Sequence, residues 1–276
     1  MTSVDLCVNC YERTYPHVLV PGFFTRLAAE HARRFARRTV IVNNVEDRAD
    51  VEQRARRLHE EGELDSWFFV EDHIDHALER TGLSRADIAR APYFTDWGLV
   101  LVTVPGPDWL VHCDPEVRML QPHDWVTPSI ELMNEDRRVI VANPCWYAPT
   151  PQHDTLARTT LERSGDFALG LGFSDQLFLC RRSELAAPIY TQRCLATRRY
   201  PMANVSRSFE ARVDAWMRHH GRLRANYLGA TYAHPDEIGG AYPARRPREK
   251  MLSLINSALI DAVRRSPVKR SCCRAL

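Results

Sequence analysis

The sequence predicts an α/β fold, a mostly parallel central sheet flanked by helices, and three observations lead there. Short runs of β-forming residues alternate with longer amphipathic stretches, the pattern of strand–helix–strand units. The runs themselves, such as "VDLCV" at 4–8 and "TVIVNN" at 39–44, are nearly continuous in apolar residues, as in a sheet covered on both faces. At 276 residues, 45% hydrophobic and 26% charged, the chain can bury one substantial core and lies far from the composition of disordered segments.

In order, the strand at 4–8 is followed by the turn-like "YERTYPHVLVPG" and then "FFTRLAAEHARRFARR", in which Phe23, Leu27, His31 and Phe35 recur four apart and predict a helix. The second strand, 39–44, leads into the charged helix "VEDRADVEQRARRLHEEG", closed by Gly62. "SWFFV" at 66–70 is a third strand, with helical material to about residue 90 and a helical or mixed segment over 93–104. A Pro-Gly-Pro turn opens the next strand, "PGPDWLVHC"; "HDWVTPSIELMNED" then reads as a helix and "RRVIVANP" as a strand. Residues 144–170 look irregular and are expected to carry a loop over a site, while "FSDQLFLCRRSEL" mixes strand and turn. Phe209, Val213, Trp216 and Met217 share one helical face closed by Gly221, and the strand "ANYLGATYA" runs into His234. Gly239, Gly240, Pro243 and Pro247 mark a boundary near 240. Residues 1–240 therefore form the expected single domain. Residues 241–276 form a basic tail whose helix, 249–264, is expected to dock on the core or on a second copy of the chain, making a homo-oligomer.

The net charge of +2 does not imply nucleic-acid binding, although basic residues gather at 33–38, 54–57, 244–248 and 264–274. No leader opens the chain and no apolar run approaches the roughly 20 residues of a membrane span, so a cytoplasmic protein is expected. Its eight cysteines are then mostly reduced. "CVNC" at 7–10 has redox or zinc spacing, but without a second such pair it reads as buried thiols.

The chemistry concentrates in "DWLVHCDPEVRML" at 108–120, an apolar run ending in two acids. Ligands of parallel sheets collect beyond the carboxyl ends of the strands. Asp114 and Glu116 stand at such an end, and alternation along an extended chain puts both carboxylates on one side. Two adjacent carboxylates repel unless they share a cation, and oxygen ligands suit Mg2+ or Mn2+, ions that also hold substrate phosphates. The alternative is a solvated Glu116 with Asp114 capping the turn.

The stretch resembles the acidic strand-end motif, usually Asp-x-Asp, of GT-A fold glycosyltransferases, here "VHCDPEV" with glutamate in the second place. The resemblance implies that Asp114 contacts the ribose or the metal and Glu116 the metal, one methylene longer than the usual aspartate. It also makes Asp175 in "GFSDQLFL" the general base of an inverting transfer, and His234 in "TYAHPDEIGG" a late ligand of the metal or diphosphate. Each has another reading: Asp175 as a turn cap, His234 as a structural histidine, with Asp236 or Glu237 in its place. By the same resemblance the nucleotide is bound by loops after the first two strands, which offer Tyr11, Arg13, Asn43 and Asp47; Asp96 belongs to that pocket or starts a helix. The implied activity is metal-dependent transfer of a sugar from a nucleoside-diphosphate sugar to an acceptor. A nucleotidyltransferase or a dehydrogenase would need a glycine-rich phosphate loop, and "NCYERTYPHV" has no glycine. A non-catalytic binding protein of the same fold remains the third reading.

Overall fold

The structure is a computed structural model that describes residues 2–147, 156–200 and 206–234; the expected boundary near 240, Asp236, Glu237 and the tail 241–276 lie outside the described residues. The elements are β1 (Val4–Cys10), α1 (Tyr15–Val18), α2 (Phe23–Glu30), β2 (Arg37–Val42), α3 (Arg48–Glu60), β3 (Ser66–Phe69), α4 (Val70–Thr81), α5 (Arg85–Ile88) and α6 (Asp96–Thr103). Then follow β4 (Trp109–Cys113), β5 (Arg118–Met119), α7 (Val126–Glu135), β6 (Val139–Trp146), α8 (Leu156–Thr159), β7 (Thr160–Ser164) and β8 (Phe167–Gly170). Last come β9 (Leu177–Arg181), α9 (Arg182–Leu185), α10 (Phe209–His219) and β10 (Leu223–Ala233). No helix among the described residues is long and apolar enough to cross a membrane.

Among the described residues all strands belong to one 10-stranded sheet, in the order β3-β2-β1-β4-β9-β6-β10-β8-β7, with β5 on the end of β10. The pairs β3·β2, β2·β1, β1·β4 and β6·β10 are parallel. β9 runs antiparallel between β4 and β6, so β1 to β4, β6 and β10 all point one way and deliver their carboxyl ends to one edge. The expected mostly parallel sheet is thus present, with antiparallel insertions.

Alternation along β1 divides the core. Leu6, Val8 and Cys10 join a cluster with α1, α2, α3 and α7, whereas Cys7 faces a second cluster formed with α4, α6, α9 and α10. Burial on both faces is why β1, β4 and β9 read as unbroken apolar runs. Cys7, Cys10, Cys113 and Cys180 carry buried free thiols, as expected for "CVNC"; Cys194 is disulfide-bonded.

The structure differs from the sequence pattern in two places. The first long helix ends at Glu30, because His31 turns fully inward to accept the Trp125 Nε1–H on Nδ1 at 2.9 Å and Ala32 takes φ 45°, which breaks the helix before Phe35. Burial pushes the His31 pKa down to about 4 and keeps the ring neutral. Second, residues 160–170 are not an irregular loop but the hairpin β7–β8 on the edge of β10. Its outer strand carries Thr160, Glu162, Arg163 and Ser164 and is mostly exposed, so no apolar alternation announces it.

Two close contacts bear most directly on stability. Gly98 of α6 lies against Phe209 of α10, and a Cβ there would stand 2.5 Å from the buried ring. Gly98→Ala gains about 1 kcal/mol of helix propensity but forces about 1–3 kcal/mol of overpacking. A lower urea midpoint with an unchanged slope is the expected outcome. The other contact is Asp5–Arg182, Nη2 to Oδ2 at 2.6 Å, with the Asp5 side chain wholly buried. Burial raises the Asp5 pKa above 3.8 even against the pull of Arg182, so the folded state binds the proton more tightly and stability falls as pH climbs through that raised value. Arg182→Met leaves the carboxylate without its counter-charge, an expected loss of about 3–5 kcal/mol at pH 7. The loss shrinks as the pH falls and Asp5 takes up a proton; urea unfolding at neutral and at acid pH measures the difference.

Candidate active site

The site is assembled at the carboxyl edge of the sheet. Beyond β4, Asp114–Val117 forms a β-turn in which the Val117 N–H donates to Asp114 O at 3.0 Å and the Glu116 N–H donates to Asp114 Oδ1 at 3.0 Å. Pro115 suits the second position of such a turn through its fixed φ. The two acids therefore converge through a turn and not through extended alternation, because the Asp114 side chain captures the amide of Glu116 and bends the chain.

The turn leads directly into β5, where Met119 pairs with Tyr232 and Arg118 with Ala233 of β10. That short ladder sets His234 beside the turn. Its Nε2 lies 3.4 Å from Asp114 Oδ1 and 3.9 Å from Glu116 Oε2, and one ligand atom from each of the three residues falls within 4.8 Å of the others. Donors around one small divalent cation, each at about 2.0–2.2 Å, stand at most about 4.4 Å apart, so modest side-chain adjustment closes the set. Two carboxylates with an imidazole fit Mn2+ better than Mg2+, which prefers oxygen throughout.

Asp175 enters from the start of β9, the antiparallel neighbour of β4. Since β9 runs antiparallel to β4, the residues before it arrive at the same edge, and the Asp114 N–H donates to Gln176 O at 2.7 Å. Burial, then the charge of Asp114, pushes the Asp175 pKa up to about 6, with Glu210 and His234 pulling the other way. The Tyr232 hydroxyl donates to Gln176 Oε1 at 3.3 Å.

Tyr11, just past β1, shares this field: burial and the charges of Glu116 and Asp114 raise its phenol pKa, while Arg13 lowers it. Asn43 and Asp96 bond to each other, Nδ2–H to Oδ1 at 2.8 Å, and the same oxygen accepts the Trp97 N–H at 2.7 Å. This pair stands beside the Tyr11 loop, since the Asn43 N–H donates to Cys10 O at 2.8 Å. Asp47 is instead the exposed N-cap of α3, accepting the Asp50 N–H at 3.0 Å. Arg13 is exposed near Tyr11. The structure thus brings together Asp114, Glu116, His234, Asp175 and Tyr11, sets Asn43 and Asp96 nearby, and occupies the Asp47 carboxylate with helix capping. The sequence did not single out Glu210, Gln176 or Tyr232: an acid in a helix's first turn and a tyrosine in a strand have ordinary local explanations.

His112, two residues before Asp114, is not a ligand. It is fully buried inside the sheet on the face opposite Val111 and Cys113, where it contacts Asn9 Oδ1 through Nε2 at 2.9 Å and packs between the rings of Trp97 and Phe178.

No protein-family model and no curated protein matches the sequence. Among solved structures, the crystal structure of GalNAc-T7 with UDP, GalNAc and Mn2+ is similar at a TM-score of 0.49 and 10% identity, over 95% of this chain and 48% of that one. The chain spans about half the length of that structure, and the likeness concerns the backbone only.

If the three side chains share one cation, Asp114→Asn, Glu116→Gln and His234→Ala each weaken Mn2+ binding by at least about tenfold, since each removes a donor from a small set. Calorimetric titration of the metal alone measures this, and unchanged affinity in all three variants would refute a shared site.

Proposed function

We propose that this protein is a divalent-metal-dependent glycosyltransferase that moves a sugar from a nucleoside-diphosphate sugar to an acceptor hydroxyl with inversion at the anomeric carbon. The observation that carries this reading is the convergence of a three-donor metal set and a half-buried acid, Asp175, on one edge of the sheet. Asp114, Glu116 and His234 would hold the cation, which supplies neutralisation of the diphosphate as negative charge grows on the leaving group. Tyr11 and the Asn43–Asp96 pair line the side from which the first two strands emerge, and they are assigned to the nucleotide.

In the transfer, the acceptor oxygen forms a bond to the anomeric carbon as the bond from that carbon to the diphosphate oxygen breaks. The acceptor's proton passes to the Asp175 carboxylate and the electron pair of the broken bond leaves with the nucleoside diphosphate. A carboxyl raised to about 6 is ionised above that pH and is a stronger base than an exposed aspartate, which suits it to this step.

A thermal-shift panel of nucleoside diphosphates and nucleotide sugars, each with and without Mn2+, tests the reading. A donor at 100 times its Kd adds about 2.7 kcal/mol, or a rise of about 5–10 °C for a domain of this size, and only with the metal present. With that donor, Asp175→Asn is expected to slow nucleoside diphosphate release by about 10²–10⁴-fold while keeping the thermal shift. Pyrophosphate release from a nucleoside triphosphate and a sugar phosphate would instead indicate nucleotidyl transfer, and absence of any nucleotide-dependent shift would reject both enzymes.

A further inference from the structure

The segment that carries Asp175 is held from several elements. The Tyr200 hydroxyl accepts the Phe173 N–H at 3.0 Å and contacts Phe173 O at 3.0 Å, and Gln176 O accepts from the Asp114 N–H at 2.7 Å. These contacts hold the residues on either side of the acid. The Asp175 amide itself donates to Glu210 Oε1 at 3.2 Å.

Glu210 is well placed to be a fixed point. It lies in the first turn of α10, behind the Ser208 side chain that accepts the Ala211 N–H at 3.2 Å, and beside Phe209, which is fully buried. The unpaired N–H groups of that turn favour a negative charge there. A first-turn acid that only complements the helix dipole points to solvent; Glu210 is half-buried and reaches a different loop.

We propose that Glu210 is a positioning residue: by holding the Asp175 amide it sets the orientation in which the Asp175 carboxyl meets the acceptor hydroxyl. This rests on Asp175 being the base of the transfer proposed above. A general base works only within hydrogen-bond reach of the proton it removes, and a displacement of about 1 Å costs about 10²-fold in rate. Asp175 sits in a short connection before β9, and a backbone hydrogen bond from a packed helix is a direct means of removing its freedom.

The test compares Glu210→Ala, Glu210→Gln and Asp175→Asn in two measurements. One is steady-state nucleoside diphosphate release from UDP-, GDP- and dTDP-hexoses with Mn2+; the other is hydrogen exchange at the Asp175 amide without any ligand. Glu210→Ala is expected to lower kcat by about 10–100-fold with donor KM little changed, and to speed exchange at Asp175 by more than about tenfold. Glu210→Gln keeps an acceptor for the amide and should restore protection and most of kcat. Should Glu210→Ala fail to fold, Glu210→Asp keeps the charge one methylene short and is expected to show the same losses. Wild-type kcat in the variant with fast exchange overturns the positioning role, and unchanged exchange overturns the contact on which it stands. Full activity in Asp175→Asn overturns the base assignment and the positioning role with it, while leaving metal-dependent donor binding in place; absence of release from every hexose with the wild-type protein overturns the transfer reading itself.

Discussion

The candidate site depends on a ladder of two residue pairs, Met119 with Tyr232 and Arg118 with Ala233. Those pairs tie the segment leaving the Asp114–Val117 turn to the last residues of β10, and without them His234 has no reason to lie beside Asp114 and Glu116. The ladder is reinforced from both sides: the Leu120 N–H donates to Thr231 O at 3.0 Å and the Tyr147 N–H to Tyr232 O at 2.7 Å. β10 reaches this position by an irregularity. Its register with β6 shifts between Tyr227 and Thr231, so the strand changes course before it ends.

The antiparallel β9 has a comparable effect next to β4. A wholly parallel arrangement would bring only strand ends and the loops after them to the carboxyl edge. Inserting β9 in the opposite direction brings the residues that precede it, Asp175 and Gln176, to the same place. The result gathers Asp114, Glu116, Asp175 and Glu210 within one neighbourhood of negative charge. Burial first, and then the charge of Asp114, joined at Tyr11 by that of Glu116, raises both the Asp175 carboxyl and the Tyr11 phenol. A site that accumulates like charge at the cost of folding stability is suited to a cation and to a proton acceptor, and poorly suited to an anionic ligand without a metal.

Much of the fold was legible in local pattern. Apolar runs marked β1, β2, β4 and β6, α3 and α7 were expected as helices, helical spacing marked α10, and Gly62 and Gly221 follow α3 and α10 with φ of 72° and 61°. The pattern misled where tertiary contacts override it. His31 continued a helical spacing in the sequence, yet its ring is taken up by Trp125, and the chain turns there. β7 escaped notice because an edge strand needs no apolar face along its outer side, and the buried β8 is only four residues long. Within the site, Asp114 and Glu116 could be picked out because they stand at a strand end, whereas Asp175 and His234 were picked out only through the family resemblance. Glu210 could not, because its role depends on a loop 35 residues away in sequence.

The sequence by itself determined the kind of layer each segment joins, since burial on one face or both follows from the spacing of apolar residues, and it determined which acids stand at the ends of strands. Only the tertiary structure decided which of those acids meet. Strand order, the direction of β9 and the pairing of β5 with β10 are long-range choices among backbone hydrogen bonds that are chemically alike from one strand to the next. No local signal distinguishes them, and it is they that bring Asp114, Glu116, His234 and Asp175 into reach of one another.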